Sequence, residues 1–338
     1  MSGQSGGGRA GIAGDLMMRL IQIVAGLTCA FAFLAIALYR VPLGAVASSL
    51  ARTSPFWLGA ALAAYALDLA LRTWRWRLIL RPVARLRYLT VARVLIAGYG
   101  LNTIMPLRLG ELFRAEFLKK TACVPRVQAL ASIVVERLLD GLAVVFCLGL
   151  GLLFAARTRP PNPLLVDALA AGGAVFGVVL VVVLCLGGHR AAGLFARLPR
   201  LHGAVLAARE GLAILRTRRA LPIVLMTAIV YLAEALPIWC IVRALGLPLS
   251  GPDTLVLLGI ASLGTLLPSG PGFLGTLQLA YILGIEFAGA EGAIGAAAAT
   301  LVQCCLMLPV AIAATGILIH GSGGVLRAAL ARRELEPV

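Results

Sequence analysis

The sequence predicts an all-α fold: a polytopic membrane helical bundle of about six full spans plus two Pro/Gly-broken re-entrant hairpins, arranged as an inverted repeat. Three observations carry that prediction. The chain of 338 residues is 61% hydrophobic and only 13% charged, against about a quarter charged in a soluble domain. Several apolar runs reach the roughly 20 residues that a helix needs to cross a hydrocarbon core about 30 Å thick. Two further apolar runs, at about 90–120 and 253–287, are broken in the middle by Pro and Gly.

The elements follow in order. Residues 1–19 open on a Gly/Ser-rich stretch that cannot build a packed core, and are expected to form a disordered cytoplasmic N-terminus. A single transmembrane domain then covers 20–320. Its first apolar run, 20–39, exceeds a signal-peptide core, lacks a clear small-residue cleavage site and reads as a retained helix. A second span covers 54–71. It gives way to RTWRWRLILRPVARLRY, with six arginines between Arg72 and Arg87 and with Trp74 and Trp76 where an interfacial aromatic belt would lie. Full spans follow at 127–155, 164–187, 220–244 and 291–319. Residues 189–219, basic and partly apolar, read as an amphipathic cytoplasmic stretch, and 321–338 as a cytoplasmic tail. The seven cysteines form no CxxC pair and no Cys/His cluster. Neither a metal site nor a disulfide framework is expected, and no cofactor.

The first halves of the two broken segments, about 15 residues each, would reach only about 22 Å at 1.5 Å per residue. They also resemble each other: NTIMPLRLGEL (102–112) aligns with GTLLPSGPGFL (264–274) at Thr, two aliphatics, Pro, a Gly four residues later and Leu, at an offset of 162 residues. If both are re-entrant, the three full spans between them force them to approach from opposite faces, which is the inverted repeat of many secondary transporters. With the N-terminus inside, the inner segments hold 22 of the 30 Lys/Arg and the outer segments five. By the positive-inside rule both termini are cytoplasmic, in the inner membrane of a cell. The same distribution accounts for the net charge of +16 without a nucleic-acid partner.

The charged candidates cluster around the first broken segment, LNTIMPLRLGELFRAEFLKK. Pro106 disrupts a helix, and irregular backbone at membrane depth is tolerated where it is buried in protein or lines a wet cavity. A helix restarting beyond Pro106 would aim unpaired N–H groups into that cavity, an end that suits phosphate or carboxylate. Arg108, Glu111 and Arg114, at i, i+3 and i+6, share roughly one face. Glu136, Arg137 and Asp140 sit about ten residues into a span, where ionisable groups are costly unless paired or hydrated and are functional candidates by default. Arg137 is expected to pair with Glu111, and Glu136 with Arg114 or Arg108. The plainer reading is an ion-pair network that locks hairpin to helix, and the two roles can coexist. Glu116 reads as a group near the interface, Asp68 as the partner of Arg72 at i+4, and Glu234 as a candidate coupling site for a proton or cation. The second broken segment carries no charge. Pro268, Gly270, Pro271, Gly272 and Gly275 break its helix and permit close backbone approach, and Gln278 is its nearest polar side chain.

Absent motifs bound the chemistry. There is no G-x-x-x-x-G-K-[ST], no H-E-x-x-H and no G-x-S-x-G. The G-x-G-x-x-G formed by Gly270, Gly272 and Gly275 follows no strand and marks no dinucleotide site.

LNTIMPLRLGELFRAEFL, VVERLLDGL and LLPSGPGFLGTLQ together resemble the lysylphosphatidylglycerol synthase transmembrane-region family of flippase-like membrane proteins, over about 20–320. Asn102, Pro106, Arg108, Gly110, Glu111 and Arg114 fit its N…P.R.GE..R pattern; Glu136, Arg137 and Asp140 fit ER..D. Phe273 and Gln278 stand where the third motif would have a Gly and a Glu. The resemblance implies lipid handling: translocation of an anionic or aminoacylated phospholipid, or of a polyprenyl- or hopanoid-type lipid, between leaflets. It implies headgroup binding by Asn102, Arg108, Glu111, Arg114, Glu136, Arg137 and Asp140, with a gate at Pro106, Gly110 and the Pro/Gly residues of the second segment. With no soluble synthase domain expected, the chain is read as a transporter and not as the synthase. Three other readings stay open: an intramembrane transferase on a lipid-linked donor, with Glu111, Glu136 or Asp140 as base; a non-catalytic partner of a lipid-biosynthesis enzyme; and a proton-coupled small-solute carrier.

Overall fold

A computed structural model describes residues 43–104, 109–160, 162–186, 217–218, 220–266 and 271–319. The run at 20–39, nearly all of the stretch 189–219, the tail, and the candidates Pro106, Arg108, Pro268 and Gly270 lie outside the described residues.

The described chain is an all-α bundle of the membrane type. In order, the helices are α1 (Leu43–Ala51), α2 (Pro55–Leu80), α3 (Tyr88–Ile104), α4 (Gly110–Ala122), α5 (Arg126–Ala155), α6 (Pro163–Leu186), α7 (Ala220–Ala244), α8 (Gly251–Gly264), α9 (Thr276–Phe287) and α10 (Gly292–Ile319). Four of the described helices are long and apolar enough to cross a membrane: α5, α6 through Val183, α7 and α10. α2 is as long, at 26 residues, or about 39 Å, but its second half carries Asp68, Arg72, Arg75 and Arg77.

α2 corrects the expected boundary at 71. The helix continues through the arginine run to Leu80, so Arg72 and Arg75 belong to the bundle and not to a cytoplasmic loop. Both are buried, Arg75 completely. The physical reason is pairing: each guanidinium meets a carboxylate inside the protein, which removes the cost that would drive it to water. Trp74 is half-exposed, but the aromatic-belt assignment fails for Trp76, which has no exposed surface and donates Nε1–H to Ser132 Oγ at 3.2 Å.

The two broken segments are helix–break–helix pairs whose arms pack on each other, α3 on α4 and α8 on α9. Their arms of 17, 13, 14 and 12 residues each fall short of a full span. Small residues make the folding-back close. A Cβ on Gly110 would overlap the Gly98 carbonyl oxygen and the Asn102 side chain, and one on Gly98 would overlap the Arg114 side chain. The turn into α9 needs left-handed backbone at Gly272 (φ 67°), Phe273 (φ 57°) and Gly275 (φ 83°). Glycine adopts this freely; Phe273 bears a strain of about 1–2 kcal/mol.

Two apolar cores support these pairs. One gathers Trp76, Leu80, Leu95, Leu118, Ile133 and Leu138 around α3 and α4. The other gathers Ala61, Val144, Tyr231, Ile241, Leu257 and Tyr281 around α7, α8 and α9. Along α2 the chain passes from Ala61 in one core to Trp76 in the other, and Asp68 and Arg72 fall between. Along α5 it passes from Leu139 to Val144, with Asp140 between. The charged residues therefore occupy the seam of the bundle.

Candidate functional site

Four helices bring their charges to that seam. α5 presents Glu136, Arg137 and Asp140 within about one turn, so their side chains fan over one side of the helix. α2 presents Asp68, Arg72 and Arg75 at i, i+4 and i+7, again one face. α4 contributes Glu111 and Arg114 from its first turns, and α7 contributes Glu234 from the turn before Pro237.

Glu136 is the hub. It has no exposed surface. Arg114 Nη2 donates to its Oε2 at 2.5 Å and Arg114 Nη1 to Oε1 at 3.3 Å; Arg137 Nη2 donates to Oε1 at 2.9 Å, and Tyr99 OH at 3.2 Å. Arg75 Nη2 stands 3.8 Å away. Arg114, also fully buried, sits over Trp76 with its guanidinium carbon 3.9 Å from the ring centre, a cation–π contact. Asp140 accepts from Arg75 Nη1 at 2.6 Å and lies 3.5 Å from Arg137 Nη1. Arg137 reaches Glu111 at 3.3 Å. The two pairs expected from the sequence, Arg137 with Glu111 and Glu136 with Arg114, are both present. The third guanidinium, Arg75, comes from the arginine run that the sequence places at the membrane interface. In this cluster three guanidiniums face three carboxylates.

A second cluster adjoins it. Arg72 Nε donates to Asp68 Oδ2 at 2.7 Å, and Arg72 Nη2 stands 2.6 Å from Glu234 Oε2. Here one guanidinium serves two carboxylates. Asp68 is 1% exposed, whereas the Glu234 side chain is 27% exposed.

Both clusters open onto cavities at the place where the two broken segments meet. One cavity, of about 180 Å³, is lined by Tyr99, Asn102 and Thr103 from the first segment and by Thr265 and Phe273 from the second, together with Asp68, Arg72, Arg137 and Glu234. Another, of about 270 Å³, shares Arg72, Arg137, Glu234 and Thr265 and adds Glu111, Asp140, Phe176 and Tyr231. A third, of about 150 Å³, runs from Glu234 to Pro237, Leu277, Tyr281 and Met307 and is mostly apolar. The three cavities share Glu234 and Thr265, so in this chamber charged side chains and an apolar pocket adjoin one another. Separately, a cavity of about 320 Å³ between Leu78, Arg81, Arg85 and Ile223 touches none of the candidate residues. Among the described residues no three His, Cys, Asp or Glu side chains group to hold a metal.

The remaining candidates sit around the chamber. Asn102 Oδ1 accepts the Gly110 backbone N–H at 2.8 Å, capping α4, while the residue lines the cavity. Gln278 Oε1 accepts the Gly275 N–H, Gln278 Nε2 donates to Gln303 Oε1, and Gln303 Nε2 donates to the Gly272 carbonyl, each at 2.8 Å. This relay fixes the Gly/Phe turn to a π-helical turn of α10, Val302–Met307, a distortion that often marks functional sites. Glu116 is remote, paired with Arg126 at the protein surface.

The family model for the lysylphosphatidylglycerol synthase TM region matches residues 23–314. The chain belongs to that family. Comparison with curated proteins and with solved structures found no match. Membership makes this an integral membrane protein of lipid metabolism. Within the family's motifs, the conspicuous residues Glu111, Arg114, Glu136, Arg137 and Asp140 form one bonded unit. Arg75 and Trp76 join it from outside the motifs, while Arg72 belongs to the adjoining cluster and Gln303 to the Gln278 relay.

Proposed function

We propose that this chain is a membrane lipid translocase. It moves a phospholipid with an anionic or aminoacylated headgroup, or a polyprenyl- or hopanoid-type lipid, between the leaflets of the inner membrane. One observation carries the reading: two short, broken helix pairs from opposite halves of the chain meet at a chamber walled by Arg72, Arg137 and Glu234, beside an apolar pocket. Interrupted helices that meet at a polar chamber are the arrangement secondary transporters use for alternating access. The charged pair α3–α4 would receive the headgroup from the cytoplasmic side, with the uncharged pair α8–α9 as the outer gate. The offset similarity of the two pairs supports an inverted repeat, and the arginine distribution supports cytoplasmic termini.

The test is lipid flipping in proteoliposomes, read with a membrane-impermeant quencher on a panel of fluorescent anionic, zwitterionic and aminoacylated lipids. The wild type should expose one lipid class, and Arg137→Ala, checked for folding by its thermal transition, should abolish that exposure. Intact transport in folded Arg137→Ala would refute the headgroup site. Chemical conversion of the lipid, seen by mass spectrometry, would replace the translocase with a transferase.

A further inference from the structure

We propose that Glu234 is a proton-carrying group that exchanges places with an anionic headgroup on Arg72, so that a proton and a lipid cross together. The proposal rests on the translocase reading above and adds its coupling ion and the residue that carries it.

The reasoning begins with charge balance. Among the described residues the Glu136 cluster sets three guanidiniums against three carboxylates, so its charges balance. Among the described residues the Arg72 cluster sets one guanidinium against Asp68 and Glu234, a surplus of one negative charge. An unbalanced ion at such depth is expensive and points to ion or substrate handling. Burial decides which carboxylate can exchange a proton with water. Asp68 is 1% exposed and bonded to Arg72 Nε, and among the described residues its Oδ1 has no hydrogen-bond partner although the residue lines the chamber. The Glu234 side chain is 27% exposed and borders all three adjoining cavities.

The groups that face Glu234 include three other carboxylates, Asp68, Asp140 and Glu111, each already set against an arginine. α2 presents Tyr65, Asp68 and Arg72. α5 presents Arg137 and Asp140, both held in the balanced cluster, and Cys147. Tyr99 of α3, Glu111 of α4, Tyr231 of α7 itself and Tyr281 of α9 complete the set. The parts of α8 and α10 that line the cavities, such as Ser262 and Met307, bring no titratable group.

The step balances as follows. Chamber water delivers a proton, an O–H bond forms on the Glu234 carboxylate, and the acid is neutral. Its pairing with Arg72 Nη2 is released, while Arg72 Nε stays on Asp68. An anionic headgroup oxygen takes the vacated Nη2. The chamber's net charge is the same before and after, because one anion has replaced another. On the far side the headgroup leaves, Glu234 gives its proton to water there, and the carboxylate returns to Arg72.

The test is calorimetric titration of the full chain in neutral detergent with dioctanoyl-phosphatidylglycerol, in two buffers that differ in ionisation enthalpy. The wild type should take up about one proton per lipid bound, with apparent affinity falling about tenfold per pH unit where Glu234 is ionised. Glu234→Gln, which mimics the acid, should bind with no proton uptake and a flat pH profile. Wild-type binding without proton uptake, which needs no variant to observe, would overturn the proposal. So would unchanged uptake in Glu234→Gln. If this lipid does not bind, infrared titration of the wild type separates the two ideas. A carboxylic acid C=O band that titrates and is missing in Glu234→Gln upholds the proton site and removes the anionic headgroup. No such band overturns the proton site itself.

Discussion

Replacing Glu136 by Gln removes the hub of the buried network while keeping its shape. The carboxylate has no exposed surface and holds Arg114 at 2.5 Å and Arg137 at 2.9 Å, with Arg75 at 3.8 Å. Arg75 retains Asp140 at 2.6 Å, and Arg137 retains Glu111 at 3.3 Å. Arg114 keeps no carboxylate, only its contact with Trp76. The loss therefore concentrates on one fully buried guanidinium. Stranding one member of a buried pair costs about 3–5 kcal/mol; the Gln carbonyl still accepts one hydrogen bond, which argues for the lower end, about 3 kcal/mol. Equilibrium unfolding in mixed micelles would measure it. The double variant Glu136→Gln/Arg114→Met removes the stranded charge and should recover about 1–3 kcal/mol of the loss, the usual coupling between contacting residues. Glu136→Gln within about 1 kcal/mol of wild type, or a double variant equal to the sum of its singles, would refute the assignment of Glu136 as hub.

Three further outcomes are expected. Gly110→Ala should destabilise by about 1–3 kcal/mol through overpacking against the Gly98 carbonyl and Asn102, seen as a lower unfolding midpoint and faster proteolysis between α3 and α4. Gln278→Glu should cost about 1–3 kcal/mol, because the carboxylate keeps the Gly275 N–H but meets the Gln303 carbonyl oxygen where an amide had donated; Gln303→Lys added to it should recover part of the loss in the same unfolding assay. Trp76→Phe should cost about 1–2 kcal/mol through the lost hydrogen bond to Ser132 and a weaker face for Arg114, and Arg114 should then exchange its guanidinium protons faster by NMR.

The sequence made the breaks legible because Pro and Gly act locally. Pro106, and the Pro/Gly run from Pro268 to Gly275, announce interrupted helices without knowledge of any partner. The charge pairs across α4 and α5 were legible for a related reason: two oppositely charged sets at membrane depth must neutralise each other. The arginine run after 71 was misread because arginine and tryptophan together usually mark an interface. A local signal was nonetheless present. Asp68, Arg72, Arg75 and Ile79 recur at helical spacing and are all buried, while Trp74 between them is half-exposed; a loop has no reason to keep that period. Gln303 was not legible at all. It is one amide in an apolar helix, and its meaning comes from Gln278 and Gly272, which only the fold brings within reach.

Charge balance separates what holds the protein together from what is left to work. A buried salt bridge adds little net stability over apolar packing, yet breaking one is costly, so the three-against-three cluster fixes α4 onto α5 and α2 and keeps the α3–α4 pair in register. Of its guanidiniums, Arg75 and Arg114 are fully buried on their carboxylates, whereas Arg137 is part-exposed and also faces the chamber. The Arg72 cluster differs in balance and in access: among the described residues it is one-against-two, and it borders all three adjoining cavities through Glu234. Most of the motif residues that draw the eye in the sequence therefore build the frame, Arg137 also faces the chamber, and the proposed exchange of ions uses Arg72 and Glu234 on the neighbouring helices.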